Sequence, residues 1–277
     1  MHIPAGSVLS AQRLLPGAAF AFWEALMRTR VYVDGLNLYH RAVKGTPFKW
    51  LDLVKLSALV LPSTCVVDKL LYFTAHVSGT FDPGAPRRQQ MYLNALRTLP
   101  EVEIHFGQFL AKIAWRPIIN LPVAGRPIRT PQLVTLPAGD HPVASAAPPP
   151  QTLSVGSYGD RHQKRTPLPD AVIAAFHQME EKGSDVNLAA HLLNDAWKGQ
   201  FDAAAVISND TDLVTPIRMV AAEQGKPVFV VCPRSRRMAP ALRQVATYKR
   251  YIRRPMLRAA QFPDPIPGTA ISKPASW

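Results

Sequence analysis

Apolar and polar positions along the chain fall into short blocks with two different periods. Val31–Val33, Leu70–Ala75, Val102–Lys112, Ala203–Ile207 and Pro227–Val231 have the length and apolar character of buried strands. Between them, apolar residues recur at helical spacing. Leu53, Leu56, Leu59 and Val60 follow Asp52, which sits where a helix N-cap belongs. Met91, Ala95 and Leu96 form the inner stripe of a helix over Arg87–Leu99. A helix entered at Asp185 places Val186, Ala189, Leu193 and Trp197 on one face, with Leu188 and Leu192 beside it. Leu213–Gln224 is helical and stops at Gly225, a natural C-terminal cap, and Ala239–Ala246 makes a last helix. Strands alternating with helices in this way predict an α/β protein, three layers deep, with a mainly parallel sheet.

Two regions break the rhythm. Residues 1–29 form an apolar leader interrupted by Pro16 and Glu24, a poor signal peptide. Met27 stands just ahead of the first strand, so we expect a leader added by an upstream start codon. Residues 115–169 carry Pro117, Pro122, Pro127, Pro131, Pro137, Pro142 and the run Pro148–Pro150, which preclude long helices and central strands. They read as a surface insertion in a domain spanning 30–254, and residues 255–277 as a Pro-rich tail.

The polar clusters that end the strands change the picture from fold to chemistry. Val31–Val33 runs into Asp34, Gly35, Leu36 and Asn37; Ala203–Ile207 runs into Ser208, Asn209, Asp210, Thr211 and Asp212. Parallel strands put their carboxyl ends on one edge, which is where open α/β sheets bind ligands. Asp34, Asp210 and Asp212 converge there if these two strands are neighbours. Asp185 joins them only if its helix points its N-terminus at the same edge. Each residue also has a structural reading: Asp34 before Gly35 as a turn, Asp185, Asp210 or Asp212 as helix caps. Together they are harder to explain by stability, since two unit charges about 4 Å apart repel by about 4 kcal/mol at an intermediate dielectric. A divalent cation reverses that sign. Mg²⁺ or Mn²⁺, which prefer oxygen ligands, suit such a set, and a bound ion would activate water and stabilise charge growing on a phosphate.

Charge and composition then narrow the partner. Lys and Arg outnumber Asp and Glu by 32 to 19, a formal charge of +13 in 277 residues. That balance favours a polyanion, most commonly nucleic acid, although solubility alone explains it about equally well. From Arg234 to Arg258 there are basic residues and no acid. Lys182, Arg234, Arg236, Arg237, Lys249 and Arg250 are the candidate phosphate contacts, with Tyr248 and Tyr251 able to stack on bases. A solvated basic face is the alternative for them. Cys65 and Cys232 are too few and too far apart for a disulfide framework or a zinc site, which points to a reducing, cytoplasmic setting. No apolar run approaches the ~20 residues of a membrane span. The first strand lacks both the Asp-x-Asp of an aspartyl phosphatase and the Gly-x-Gly-x-x-Gly of a dinucleotide site.

Three stretches in order, Val33–Asn37, Lys182–Ala189 and Ile207–Leu213, resemble the acidic motifs of NYN-domain proteins, the LabA-like branch of the PIN-like ribonuclease fold. The resemblance covers residues 30–114 and 170 to about 254. It implies a Rossmann-like sheet with strand order 3-2-1-4-5 and Mg²⁺- or Mn²⁺-dependent hydrolysis of RNA. By motif match Asp34, Asp185, Asp210 and Asp212 are the acidic site residues and Asn37 the accompanying amide. A non-catalytic RNA-binding module on the same fold is the alternative. The chain departs from many LabA-like sequences at His191, where they carry an acid, and the Pro-rich insertion has no family counterpart.

Overall fold

Near-continuous apolar strands must be covered on both faces, and this chain covers them with helices from either side. The computed structural model describes residues 26–79, 82–117, 173–234 and 237–277, with side chains described for 26–79, 82–108, 182–234 and 237–277. The leader before Leu26 and most of the Pro-rich insertion lie outside the described residues. The strands are β1 (Met27–Asp34), β2 (Cys65–Ala75), β3 (Val102–Pro117), β4 (Ile173–Lys182), β5 (Ala203–Ile207), β6 (Val228–Cys232) and β7 (Tyr248–Tyr251). The helices are α1 (Gly35–Leu38), α2 (Leu53–Val60), α3 (Ala85–Leu96), α4 (Ser184–Trp197), α5 (Val214–Arg218), α6 (Pro240–Val245) and α7 (Arg254–Ala259). Single π turns extend α1 over Tyr39–Val43 and α5 over Met219–Glu223, and a 3-10 turn, Thr211–Leu213, precedes α5.

The sheet order is β4-β3-β2-β1-β5-β6-β7. The six strands from β3 to β7 pair in parallel. This is the expected 3-2-1-4-5 order, in which the fourth and fifth predicted strands are β5 and β6. The short strand β7 extends it at one edge, and β4, which the Pro-rich region obscured in the sequence, extends it at the other. The chain steps outward from β1 to β3, then returns to β5 on the other flank of β1. That reversal opens a crevice above the carboxyl ends of β1 and β5, the general ligand position of such sheets. The chain divides into two units, one built from residues up to Phe109 and Glu181–Trp277, the other Leu110–Glu180.

Alternation along each strand sends side chains to two cores. Val31, Val33, Leu70, Ala205, Ile207 and Val231 face one way, against α2, α3 and α7. Tyr32, Leu71, Phe73, Val206, Val230 and Cys232 face the other, against α4, α5 and α6. On α4 the buried stripe is Leu188, Leu192, Asp195 and Ala196, whereas Val186 and Trp197 are exposed. The sequence reading of that face is corrected by about one helical position. The cause is a buried polar anchor: Asp195 is drawn inward by Arg30 and Tyr32.

The segment after residue 254 is part of the first core. Phe262 and Ile266 are buried there, Leu51 and Gln261 form an antiparallel bridge, and the Trp50 indole donates to the Pro263 carbonyl at 3.2 Å. Trp277 reaches the rings of Trp50 and Tyr92, at centroid distances of 6.3 and 5.9 Å. Among the described residues no helix is long and apolar enough to cross a membrane.

Candidate functional site

β1 ends at Asp34, which takes extended backbone angles and caps the four-residue helix α1. Its Oδ1 accepts the Asn37 backbone N–H at 2.9 Å and its Oδ2 accepts the Ser208 hydroxyl at 2.8 Å. Gly35 makes this tight start possible. A Cβ there would lie 2.6 Å from the Tyr72 ring and 2.8 Å from the Phe73 carbonyl oxygen. Asp34 as a whole is 5% exposed. Burial, with the Asp34 charge adding to it, pushes the Tyr72 phenol well above its ordinary range, so Tyr72 stays protonated.

The β5 loop closes onto this cap. Val33 and Ile207 are register partners, so Ser208 emerges beside Asp34. Ser208 Oγ, while donating to Asp34, accepts the Asp210 backbone N–H at 3.0 Å. Asp210 in turn caps the 3-10 turn, its Oδ1 accepting the Asp212 N–H at 3.0 Å. Asn37 adds a second tie, its side-chain oxygen accepting the Asn209 N–H at 3.2 Å. Asn209 then holds the loop after β6: its side chain donates to the Arg237 carbonyl at 3.2 Å and accepts the Ala239 N–H at 2.8 Å. One hydrogen-bonded chain thus runs from the end of β1 through β5 to the loop after β6.

Asp34, read from the sequence as a turn residue, and Asp210, read as a cap, both cap a helical turn, and Ser208 links the Asp34 carboxylate to the Asp210 backbone N–H. Asp212 is exposed, in the first turn after Asp210. Asp185 lies in the first turn of α4, half-buried, entered through Gly183 at φ 95°, a left-handed angle that glycine tolerates. The condition set on Asp185 is its helix orientation. The Ser184 hydroxyl donates to the Thr74 carbonyl at 3.3 Å and the Asn187 amide to the Phe106 carbonyl at 3.5 Å. Thr74 is near the carboxyl end of β2 and Phe106 is its register partner on β3, so α4 points its N-terminus at the same edge, on the β2 side of Asp34.

Among the described residues no three His, Cys, Asp or Glu side chains stand close enough to hold a metal ion. A closed protein cage is therefore not built here. The donor set at the reversal point, the Asp34 carboxylate tied through the Ser208 hydroxyl to the Asp210 backbone N–H, fits a sparser arrangement. Mg²⁺ takes one or two carboxylates and fills its other positions with water and substrate phosphate.

The basic candidates are spread more widely. Arg234 and Arg237 are exposed in the loop after β6, and the Asn209 contact ties Arg237 to the acidic edge. Arg236 lies outside the described residues. Lys182 is exposed at the end of β4 and Lys249 is exposed on β7. Arg250 is turned over the Phe229 ring at 5.6 Å, and Tyr248 stacks on the same ring at 4.6 Å. Tyr248 and Tyr251 are thus half-buried against the two cores rather than presented as open stacking platforms. His191 packs at 4.2 Å from the His105 ring and 5.6 Å from Phe73.

Sequence reasoning did not single out a cavity of about 170 Å³ that opens next to the same edge. Gly35 and Leu36 line it on one side, Tyr72 and Tyr92 on another, and Trp277 closes it. Its walls come from segments that no local pattern connects.

Comparison with known proteins gives three findings. The NYN domain family model matches residues 157–253, which include the second and third acidic motifs. The chain is 31% identical over 273 residues to the 6-hydroxy-3-succinoylpyridine 3-monooxygenase HspA of Pseudomonas putida, an alignment covering 91% of this chain and 75% of that protein. A crystal structure of a Vibrio parahaemolyticus protein of unknown function aligns with 83% of this chain and 96% of its own, at 14% identity and a TM-score of 0.44.

Proposed function

The chain belongs to the NYN-domain family, a PIN-like nuclease family, and from that premise we propose that the edge bearing Asp34 and Asp210 hydrolyses phosphodiester bonds in RNA with Mg²⁺ or Mn²⁺. The observation that carries this reading is the Asp34–Ser208–Asp210 chain at the reversal point of the sheet. Asp34 and Asp210 would hold the ion, with Asp185 and Asp212 on the flanks of the same edge. A bound divalent ion would supply an activated water and charge stabilisation at the phosphate. Ser208 fixes the orientation of the Asp34 carboxylate, and Asn37 locks the β5 loop against α1. Arg234, Arg236 and Arg237 are the phosphate contacts nearest in sequence to that loop, while Lys182, Lys249 and Arg250 would extend the basic track. The test is cleavage of labelled RNA by the full chain with Mg²⁺ or Mn²⁺, set beside Asp210→Asn and beside EDTA. Loss of cleavage in both comparisons is expected. Equal cleavage in all three overturns the reading, and salt-sensitive binding without turnover replaces it with the non-catalytic RNA-binding module.

A second reading follows from the relative. HspA is named as a monooxygenase acting on 6-hydroxy-3-succinoylpyridine, and the alignment extends through the Pro-rich insertion that the NYN motifs leave unexplained. An oxygenase of this kind would consume oxygen and an electron donor together with a substituted pyridine. Substrate-dependent oxygen uptake that survives Asp210→Asn, with no RNA cleavage, favours it.

A further inference from the structure

We propose that the cavity beside Gly35 is a binding site for a small planar aromatic anion, one ring carrying a carboxylate. This stands on the cavity walls and deepens the second reading, whose substituted pyridine is a ligand of this class, while binding is expected whichever reaction the acidic edge performs. Size is the first constraint. An apolar protein cavity of ~150 Å³ takes up benzene, so about 170 Å³ admits a single ring with one small substituent.

The shape and surface of the walls are the second. Tyr72 and Tyr92 meet edge to face at 6.4 Å, and Tyr92 and Trp277 lie 5.9 Å apart. The Tyr92 hydroxyl is committed to the Leu51 carbonyl at 2.8 Å, which fixes its ring in the wall. Tyr39 completes the aromatic lining. Rings set at these angles offer both faces and edges, the arrangement that takes a further flat ring by stacking or edge contact.

Charge is the third. Lys49, Arg88 and Asp82 are the charged side chains of the lining. Arg88 is paired with Asp82. Lys49 is half-buried with its ammonium 5.9 Å from the Trp277 ring, and its cation faces the aromatic end of the cavity. A carboxylate beside that ammonium gains a charge-assisted contact, while the ring occupies the aromatic walls. A neutral ring forgoes the first gain and a non-planar acid the second.

The experiment uses the full chain and nicotinate as the probe, with binding followed by calorimetry and by tryptophan fluorescence. Nicotinamide tests the charge and cyclohexanecarboxylate the planarity. Nicotinate is expected to bind at least about tenfold more tightly than either. Lys49→Gln should lose about tenfold in nicotinate affinity with nicotinamide binding unchanged, and an unaltered melting curve separates that loss from misfolding. Arg88→Gln, as a second variant, should weaken nicotinate less, because Asp82 already shares that cation. Equal affinity for all three probes overturns the proposal, as does a lack of saturation at low-millimolar nicotinate. Preferential binding of uridine monophosphate overturns it too, by making the cavity a pocket for an RNA base. RNA cleavage and oxygen uptake are measured separately, so failure of either reading leaves the binding result intact.

Discussion

The two ends of β1 treat acidic side chains differently. Toward its amino end, acids meet cations. Arg28 lies 3.6 Å from Asp202, and Arg30 meets Asp195 at 2.9 Å with only 13% and 9% of those two side chains exposed. Tyr32 donates to the same Asp195 oxygen at 2.8 Å, and its own burial, reinforced by Asp195, keeps the phenol protonated. At the carboxyl end, Asp34 takes a backbone N–H and a hydroxyl, and Asp210 takes a backbone N–H. These donors are neutral, and they aim the carboxylates they touch. The first arrangement holds α4 to the sheet. The second holds two acids in place at the edge where a cation and a phosphate would arrive.

The largest effect expected from this contrast is on stability. Asp195→Ala leaves a buried phenol without its acceptor and takes the nearest carboxylate from the Arg30 guanidinium, which keeps Gln200 at 3.1 Å and Asp68 at 3.8 Å, and should lower the unfolding free energy by about 3 kcal/mol in urea titration. Asp210→Asn keeps the cap, because asparagine caps as well as aspartate, and should stay within about 0.5 kcal/mol of the parent. The same substitution should abolish metal-dependent cleavage. If Asp210→Asn destabilised the fold as much as Asp195→Ala, the carboxyl end would be structural and the distinction between the two ends would be lost.

Next in size is Gly35→Ala. The added methyl would meet the Tyr72 ring at 2.6 Å and the Phe73 carbonyl at 2.8 Å, and the carbonyl belongs to a central strand that does not yield. Overpacking of this kind costs about 1–3 kcal/mol, measured as a fall in melting temperature. Ser208→Ala follows. It removes the hydroxyl donor to Asp34 and the acceptor of the Asp210 N–H, and should cost about 1–2 kcal/mol. A loss of cleavage larger than the loss of stability would mark Ser208 as a positioning residue. Restoration of cleavage by Ser208→Thr would support that role.

The carboxyl end was legible in the sequence because its signals are local: a short apolar run stops at a polar cluster, and parallel strands stop on one edge. Asp34 and Asp210 needed only the adjacency of β1 and β5. The amino end was not legible. Asp195 looks like a surface residue of an amphipathic helix until Arg30 and Tyr32, more than 160 positions away, are folded against it. That missing pairing displaced the predicted stripe of α4 toward Val186 and Trp197. The cavity was hidden for a related reason. Tyr72, Tyr92 and Trp277 belong to a strand, a helix and the chain's last residue, and a Pro-rich tail carries no periodicity to show that its end returns to the core. For Arg250 and Tyr248, read as phosphate-contact and base-stacking candidates, an edge strand's composition does not tell which side chains fold over Phe229.

The smallest expected effect lies away from both ends, and it tests whether the acidic edge dominates the pH response. His105 sits on β3 with its ring stacked on Phe73 at 4.9 Å, 4.2 Å from His191 on α4 and within 3.0 Å of Glu103. Burial, helped by His191 and by Lys69 on β2, lowers its pKa below the ordinary 6.5, while Glu103 and Asp195 pull the other way. The exposed His40 is lowered too, by partial burial and by Lys44. A group whose folded pKa lies below its unfolded value binds fewer protons in the native state. Its contribution is therefore present above the unfolded value and is lost as the pH falls through the folded one. Stability should decline on acidification from roughly pH 7 to pH 5, the window in which histidine titrates. His105→Gln with His40→Gln should flatten that decline, read from melting temperatures across the window. Glu103, lowered chiefly by its hydrogen bond to Lys69, acts further down, below the ordinary 4.5, and would persist in the double variant. A decline near pH 6 that survives the double variant would place the titrating groups elsewhere, and the pH response would no longer stand apart from the two ends of β1.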